Sequence, residues 1–351
     1  MKRLGLLALL LIAAIGAGAG WLDSQLSRPY RGHRPEEVFV DIPHGSSRWQ
    51  IAGILREDDV IRNRLAFTLF SYWHFRRPIQ AGEYYFDQPV NTREVFWKMA
   101  RGHVYVRTIL VPEGWTSFEI AEEIQEQGIC DREQFLAATH ETSLISGIAP
   151  QTHSLEGFLF PSTYEFTRHN SCEEVAKRMV ENFKAVWDSI KPADLQTLPG
   201  GLTPLQIVTL ASLVERETPD PEERPLVAGV FYNRLRKRVP LQCDPTVQYA
   251  LALEGQLVKD VKPEDLKVDS PYNTYTHTGL PPGPIANPGE ASLRAALAPE
   301  VTDYLYFVAN DKGGHFFAKT LAEHDRNVKL LRRRLNADAQ SAEGASKKPQ
   351  H

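Results

Sequence analysis

Two glutamates at the end of one apolar helix are the residues best suited to chemistry in this chain. The segment LASLVERET, residues 210–218, ends with Glu215 and Glu217. Burial disfavours a charged carboxylate, so a glutamate delivered into a cleft can keep its proton near neutral pH and donate it as a general acid. Such a group suits the cleavage of a glycosidic bond.

The helix that positions these glutamates is predicted from its first residues. Thr203, Pro204 and Gln206 fit a capping box, with the proline at the position where its missing N–H costs nothing. Helical periodicity gives one apolar and one polar face. The apolar face is Ile207, Leu210, Ala211 and Val214, and the polar face is Thr209, Ser212 and Arg216. Glu215 and Glu217 fall near opposite edges, roughly 160° apart, so periodicity does not decide which of them enters a cleft.

A second candidate region is the long segment 270–289, which has no periodic pattern. A loop of this length is uncommon inside a domain unless it has a function. Its hydroxyls, amide and aromatic rings suit sugar hydroxyls and N-acetyl groups. We predict that Asn273 and Tyr275 line the cleft, with Tyr272 as a further candidate. The alternative is a structural loop whose Asn and Thr side chains satisfy their own backbone.

Three further residues complete the set of candidates. Gln242 and Asp244 lie in the segment LQCDPTVQYAL, and Glu156 lies in LEGFLFPSTYEF. Asp244 is equally well interpreted as a turn or cap residue. Because Glu215 points away from Glu217, a hydrolase would need Glu156 or Asp244 as its second carboxylate.

Five motifs in order give the chain a family resemblance. Around the Glu215–Glu217 pair stand LEGFLFPSTYEF (155–166), ERPLVAGVFYNRL (223–235), LQCDPTVQYAL (241–251), a Pro- and Gly-rich stretch (270–297) and DYLYFVANDKGGHFFAKTLAEHDRNV (303–328). Over most of residues 37–335 the chain resembles the MltG (YceG-like) endolytic murein transglycosylases. It departs from them at Ser162, where the family usually has Asp, and at Cys243, where it usually has Ser or Thr.

The resemblance implies a membrane-anchored enzyme that cuts peptidoglycan glycan strands. The catalytic acid would be the second Glu of the pair, Glu217, and the reaction would leave a 1,6-anhydro sugar without a cofactor. Peptidoglycan synthases are candidate partners, and termination of nascent strands is the candidate role. The alternatives are a lysozyme-like hydrolase and a non-catalytic peptidoglycan-binding scaffold.

The N-terminus predicts a membrane anchor. Met1-Lys2-Arg3 precedes 19 uncharged residues, Leu4 to Leu22, which is long enough to cross a hydrocarbon core as a helix. The basic start predicts a cytoplasmic N-terminus and a catalytic domain in the periplasm, with the chain in the inner membrane. The alternative is a cleaved signal peptide, because residues 17–20 are small.

Composition excludes several other classes. The net charge of −4 gives no electrostatic footprint for nucleic acid. No metal-ligand spacing is present, so we predict no metal site. Cys130, Cys172 and Cys243 are too few for a disulfide framework. Separate thiols are the prediction, and a Cys130–Cys172 bridge in an oxidising compartment is the alternative.

An internal repeat organises the first half of the chain. The pattern Ile42-Pro43-His44-Gly45 recurs as Val111-Pro112-Glu113-Gly114, and each copy predicts a strand, a turn and a capped helix. The first copy continues through a helix at about 62–75 to a strand at 82–86. This β-α-α-β order resembles a LysM glycan-binding module. Helical spacing predicts that all but one or two of its aromatic residues belong to the core; these are Trp49, Phe67, Phe70, Tyr72, Trp73 and Phe75.

The overall prediction is an α+β protein in six parts. These are a transmembrane anchor (1–22), a linker (23–36), the LysM-like module (37–105), a second strand-helix module (106–150), an α-rich catalytic domain (151–336) and a disordered tail (337–351). The catalytic domain is predicted to contain helices at about 172–189 and 224–236, then an irregular segment to Pro288. A capping box at Asn287-Pro288-Gly289-Glu290 opens a further helix, followed by a short β-hairpin around residues 310–314 and a last helix capped by Thr320.

Overall fold

The computed structural model describes residues 2–32, 37–310 and 312–346, and it divides into two compact units. The first unit contains the chain up to Thr108 together with Glu165–Asn170, and the second contains Ile109–Tyr164 and the chain from Ser171 onward. The division therefore falls near residue 108 and around the segment 165–170.

The described residues form a helix-rich α+β structure with small sheets, as predicted. The helices are α1 (Lys2–Ser27), α2 (Arg48–Glu57), α3 (Arg64–Trp73), α4 (Thr92–Ala100), α5 (Ser117–Glu126), α6 (Arg132–Ala138), α7 (Cys172–Ile190), α8 (Pro204–Glu217), α9 (Arg224–Lys237), α10 (Asp244–Leu253), α11 (Glu290–Leu297) and α12 (Leu321–Ser346). The strands are β1 (Val38–Ile42), β2 (Gly82–Phe86), β3 (Arg107–Leu110), β4 (Thr163–Phe166), β5 (Tyr306–Ala309) and β6 (His315–Ala318). They pair as β1-β2, β3-β4 and β5-β6.

The N-terminal helix α1 has the length and composition of a membrane span. Its segment Leu9–Ser27 is apolar enough to cross a bilayer, and only 6% of its most apolar stretch is buried by the rest of the protein. A core helix of a soluble protein is mostly buried, which α1 is not, whereas a membrane anchor and a signal sequence both have this length and composition.

The first unit has the predicted β-α-α-β order. Strands β1 and β2 pair antiparallel from Val38–Phe86 to Ile42–Gly82 and bracket α2 and α3 in sequence. Ser47 caps α2 in a capping box with Gln50. The fully buried core of this unit includes Leu55, Ile61, Phe67, Tyr84, Val95, Phe96 and Met99.

The prediction that nearly all the aromatic residues of this unit are core is wrong. Phe67 is buried and Phe70 is half-buried, but four of the six aromatic side chains are exposed to solvent. The exposed ones are Trp49, Tyr72, Trp73 and Phe75. Helix α3 has apolar side chains on more of its surface than the side that packs into the core. Helical spacing alone therefore could not separate the buried aromatic residues from the exposed ones.

Helix α8 begins as predicted, and its residues 207–214 are buried on all sides. Thr203 caps it in a capping box with Gln206. The predicted polar face is wrong for Thr209 and Ser212, which are both buried, because α9, α10 and α11 all contact this helix. Each hydroxyl donates to a carbonyl of its own helix, and Ser212 Oγ also accepts the Ile285 N–H at 3.1 Å. Internal hydrogen bonds of this kind allow polar residues to be buried at low cost.

Two local predictions downstream of α9 need correction. Helix α10 occupies part of the segment predicted to be irregular. At α11 the N-cap is Gly289, without a side-chain cap, so the capping box predicted for Asn287 does not form. Instead, the side chain of Asn287 is used in a buried network.

That network centres on Glu156, which is buried with its carboxylate surrounded by donors. The backbone N–H and the hydroxyl of Ser117 donate to it at 3.0 and 2.7 Å, and the amide of Asn287 donates at 2.9 Å. The Tyr249 hydroxyl lies 3.4 Å away. Burial raises the pKa of Glu156 to about 7, although the hydrogen bonds from Ser117 and Tyr249 oppose this shift.

Asn287 extends the network into three segments of the second unit. Its side-chain oxygen accepts the N–H groups of Gly157 and Leu159 at 2.8 and 2.9 Å, and its amide donates to the Trp115 carbonyl at 2.9 Å. The Asn287 backbone N–H also donates to that carbonyl. The turn before α5, the turn at 156–159 and the loop before α11 are thus held together by one amide and one carboxylate.

The C-terminal elements follow the predicted order. Strands β5 and β6 pair antiparallel as a hairpin, and the Thr320 hydroxyl accepts the Glu323 N–H at the start of α12. The backbone is helical through Ser346, where the sequence predicted a disordered tail from residue 337. Residues 347–351 lie outside the described residues.

The cysteines differ from the favoured prediction. Cys130 and Cys172 form a disulfide across 42 residues, and Cys243 is free and buried. The bridge joins the residue before the N-cap of α6 to the first residue of α7, and these two helices pack against each other. The sequence could not favour this pair because its cysteine spacing matches no recognisable framework.

Reduction of this bridge is expected to destabilise the second unit. A closed loop of this length stabilises the folded state by about 4 kcal/mol through the entropy of the unfolded chain. The urea midpoint should fall with a reductant, whereas a Cys130→Ser/Cys172→Ser variant should not respond to it. Titration of the denatured, unreduced protein should find one thiol per chain, and three thiols would contradict the bridge.

Glu156 is expected to make stability depend on pH. Its folded pKa of about 7 lies above the unfolded value of 4.5, so the folded state binds more protons between these limits. Stability should therefore fall by about 3 kcal/mol as the pH rises from about 4.5 to 7. Melting curves across that range should show this slope in the wild type, a flatter slope in Glu156→Gln, and the wild-type slope in the exposed control Glu141→Gln. Equal slopes in all three would contradict the assignment.

Candidate active site

Glu217 is the last residue of α8 and opens into a cavity of about 530 Å3. The cavity is lined by Glu217, Arg234, Leu241, Gln242, Asp244, Tyr275, Tyr306, Phe307, Val308, Ala309, His315 and His324. The lining comes from the ends of α8 and α10, from α9 and α12, from the loop containing Tyr275 and from the β5-β6 hairpin. Its mixture of carboxylate, cation, amide and aromatic groups resembles a site for a polar, ring-shaped ligand.

The surroundings of Glu217 favour its protonated form. Burial raises the pKa of Glu217, and the Asp244 carboxylate raises it further. A hydrogen bond with the Cys243 thiol and the charges of His315 and Arg234 oppose the shift. A carboxylate at a helix C-terminus also meets the negative end of the helix dipole. On balance the pKa of Glu217 is raised, which is the direction that a proton donor requires.

Glu215, two residues earlier, has a different environment. It pairs with the buried Arg224 at 2.8 Å, and it accepts the Gly289 N–H at 2.9 Å. Burial raises the pKa of Glu215, whereas the Gly289 hydrogen bond and Arg224 oppose the shift. Glu215 therefore ties α8 to α9 and to the start of α11. It is not among the residues that line the Glu217 cavity.

Arg234 shapes the cavity wall through its backbone contacts. Its guanidinium donates to the carbonyls of Leu305 and Leu241 at 2.7 Å each and to that of Pro240 at 3.1 Å. It also stands 5.1 Å from the centre of the Tyr306 ring. One buried cation thus fastens the hairpin and the loop before α10 to α9, close to Glu217.

Of the predicted binding residues, Tyr275, Asp244 and Gln242 meet at this cavity. The Tyr275 hydroxyl donates to the Asp244 carboxylate. Burial is the main cause that raises the pKa of Tyr275, and this hydrogen bond raises it further. Gln242 is exposed and has a left-handed backbone with φ of 50°, and its N–H donates to the Thr274 carbonyl. Asp244 is also the first residue of α10, so it lies at a helix start and in the cavity at once.

The other three predicted residues do not line this cavity; they are Asn273, Tyr272 and Glu156. Asn273 is buried, and its amide donates to the carbonyls of Leu266 and Val268 while its oxygen accepts the Tyr275 N–H. It therefore holds the loop that presents Tyr275. The Tyr272 ring lies 5.0 Å from the Tyr249 ring, next to the Glu156 network.

His315 is a cavity residue that sequence reasoning did not single out. Its Nδ1 lies 2.7 Å from a Glu223 oxygen, and its backbone N–H donates to the other oxygen at 2.9 Å. A carboxylate only accepts, so Nδ1 carries the proton in this contact. Both residues occur in the motif stretches, but they are 92 positions apart, and no spacing rule predicts that they meet.

Metal chemistry has no ligand cluster to support it among the described residues. No group of three or more His, Cys, Asp or Glu side chains there is arranged to hold a metal ion.

The chain is similar to known proteins over most of its length. The family model for the YceG-like family matches residues 40–330. An endolytic murein transglycosylase of Bacillus subtilis is 36% identical over 325 residues, covering 88% of this chain and 89% of that protein. An endolytic murein transglycosylase of Streptococcus pneumoniae is 30% identical, and the alignment covers 91% of this chain and 63% of that protein.

A solved structure extends the likeness to the fold. The crystal structure of a yceG-like protein from Listeria monocytogenes aligns with a TM-score of 0.57 and 35% identity. The alignment covers 83% of this chain and 98% of that one. The family model matches most of the chain, and the Bacillus subtilis relative is 36% identical over 88% of it. The chain therefore belongs to the YceG-like family.

Proposed function

We propose that this protein is an endolytic lytic transglycosylase that cleaves the glycosidic bond between N-acetylmuramic acid and N-acetylglucosamine in peptidoglycan. The observation that carries the proposal is Glu217, a glutamate with a raised pKa that opens into a polar and aromatic cavity. The names of the bacillar and streptococcal relatives agree with it.

The reaction needs one carboxyl group in two roles. Glu217 donates its proton to the bridging oxygen, and the bond from that oxygen to C1 of the muramic acid breaks. The Glu217 carboxylate then takes the proton of the C6 hydroxyl of the same sugar while the C6 oxygen bonds to C1. Glu217 is protonated again, no water is consumed, and the product carries a 1,6-anhydro ring.

The neighbours of Glu217 suit both steps. Burial favours the protonated acid that the first step needs, and Arg234 and His315 favour the carboxylate that forms from it. An acid whose pKa lies near the working pH serves both as donor and as acceptor. Tyr275, Asp244 and Gln242 are the proposed contacts to the sugar, since they line the same cavity.

Hydrolysis is the second candidate because Asp244 shares the cavity with Glu217. A hydrolase uses a second carboxylate to activate water or to attack the sugar. The Tyr275 hydroxyl donates to Asp244 Oδ1, so that oxygen is already engaged by a protein donor rather than by a water. This favours the transglycosylase, and the product end group separates the two reactions.

We also propose a location for the enzyme. Helix α1 anchors the chain in the inner membrane, with the N-terminus in the cytoplasm and the catalytic unit outside it. The Cys130–Cys172 bridge supports an oxidising compartment for that unit. An anchored enzyme would meet nascent glycan close to the membrane, where peptidoglycan synthases are the candidate partners. The first unit is the candidate LysM-like glycan-binding module.

The pair of glutamates provides a matched test of the function. Glu217→Gln should lower cleavage of purified glycan strands by at least about a hundredfold, because the amide cannot transfer the proton. Glu215→Gln should keep most of the turnover but lose about 3 kcal/mol of stability, since it breaks a buried ion pair.

Mass spectrometry of the products identifies the reaction. Ends lighter by one water than reducing ends indicate the anhydro sugar, reducing ends indicate the hydrolase, and uncut strands from the wild type indicate a scaffold. An active Glu217→Gln together with an inactive but folded Glu215→Gln would assign the acid to the other glutamate.

His315 should set the upper pH limit of the reaction. In its charged form it lowers the pKa of Glu217, so His315→Gln should raise that pKa and keep Glu217 protonated to higher pH. The alkaline limb of kcat/KM should therefore move to higher pH. Glu223→Gln, which loosens the imidazole, should move it in the same direction, whereas the exposed neighbour Glu222→Gln should leave it in place. A shift to lower pH in His315→Gln would contradict this role.

A further inference from the structure

Helix α3 carries an exposed apolar surface that the proposed reaction does not use. The surface, called here the aromatic face, consists of Trp49, Leu65, Leu69, Tyr72, Trp73 and Phe75, which are 47–85% exposed. Residues 65, 69 and 72 follow helical spacing along one side of α3, while Phe67 packs into the core from another side. Contiguous exposed apolar surfaces of this kind mark interaction sites.

The aromatic face is surrounded by positive charge. Residues 62–77 include four arginines and contain no aspartate or glutamate. The Arg64 guanidinium stands 3.9 Å from the Trp49 ring centre, and Arg76 stands 5.8 Å from that of Phe75. Arg48 of α2 donates to the carbonyls of Ser71, Phe75 and Arg77 at the C-terminal end of α3.

This combination is typical of a helix that lies in a membrane interface. Trp, Tyr and Phe rings occupy the boundary between headgroups and acyl chains, and arginines around them bind lipid phosphates. The apolar area contributes binding, and residues 62–77 add no acidic side chain that would be repelled by anionic lipids.

The position of α1 brings this unit to the membrane surface. The end of α1 packs against α3 and α4, with Leu26 buried and the Gln25 carbonyl accepting the Thr92 hydroxyl at 3.2 Å. The uncharged stretch of α1 ends at Leu22, only about 6 Å along the helix from Leu26. If α1 spans the bilayer, the first unit therefore starts in the headgroup layer.

We propose that the aromatic face lies on the outer leaflet of the membrane that α1 anchors, with its arginines on anionic phospholipid headgroups. This inference rests on the proposed anchor. Two attachments, one helix through the bilayer and one helix along it, then hold the first unit in a defined orientation. A single flexible tether would leave the orientation of that unit open.

Spin labels on the full-length protein test the contact. Cys130 and Cys172 are bridged and Cys243 is buried, so a cysteine introduced by Trp73→Cys can be labelled selectively. Val301→Cys, a fully exposed apolar position of the second unit, is the control. In vesicles of phosphatidylethanolamine and phosphatidylglycerol, the label at 73 should collide severalfold less with a water-soluble nickel complex and more with oxygen than it does in detergent.

The outcomes separate this inference from the anchor and from glycan binding. A label at 73 that stays as accessible to nickel as the one at 301 overturns the inference. So does a label that is protected by glycan strands in detergent but not by lipid, which would make the face a sugar-binding surface. Flotation with vesicles after an alkaline wash tests α1 separately, and a chain that does not float overturns the anchor and this inference together.

A variant with the face removed completes the test. Trp73→Ser/Phe75→Ser/Arg76→Ser/Arg77→Ser should still float with vesicles and cleave soluble glycan strands like the wild type. A label at Leu69→Cys in this background should become accessible to nickel. A label that remains protected would show that the aromatic face is not what holds the unit against lipid, and a loss of cleavage of soluble strands would assign the face to catalysis.

Discussion

The need to satisfy buried backbone groups in an irregular loop is the constraint on which the catalytic unit depends. The segment before α11 is buried over most of residues 281–289 but forms no regular helix or strand. Its backbone N–H and C=O groups must therefore find hydrogen-bond partners other than those of a helix or a sheet. Ser212 and Glu215 accept the N–H groups of Ile285 and Gly289, and the Trp115 carbonyl accepts that of Asn287. Each of these bonds also ties the loop to another element. The loop becomes a rigid part of the core, and α8 gains a fixed position against it.

This arrangement explains why two glutamates of one helix have different surroundings. Glu215 faces the loop and Arg224, and its charge is compensated there. Glu217 lies past that contact, at the open end of the helix, where burial and Asp244 disfavour its charge. Because the rest of α8 is enclosed by its neighbours, the helix cannot rotate to exchange the two side chains. The packing of α8 against α9, α10 and α11, rather than Glu215 alone, thus directs Glu217 into the cavity.

The cavity is assembled by a similar use of buried polar groups. Arg234 binds carbonyls of the loop before α10 and of the hairpin strand region, and Asn273 fastens the loop that presents Tyr275. Glu223 orients the His315 ring across from Glu217. Asn273, which the sequence predicted to line the cleft, therefore positions the loop instead of facing the cavity. Preorganised supports of this kind hold a proton donor in place without reorganisation during the reaction.

The sequence by itself determined the features that depend on neighbouring residues. The start of α8, the β-α-α-β order of the first unit, the hairpin and the cap of α12 follow from capping, periodicity and turn residues, which act over a few positions. The family resemblance, which implies Glu217 as the acid, could also be recognised from the sequence, because the motifs that carry it are continuous stretches.

Only the tertiary structure decided which side chains face a cavity, a network or solvent. Asn287 reads locally as a helix cap, yet segments more than a hundred residues away in sequence take its hydrogen bonds. Trp73 has the spacing of a core residue and is exposed, since the core is already filled from the other side of α3. The Cys130–Cys172 bridge and the Glu223–His315 pair likewise join distant positions. Contacts of this kind depend on how whole elements pack, and no local pattern records them.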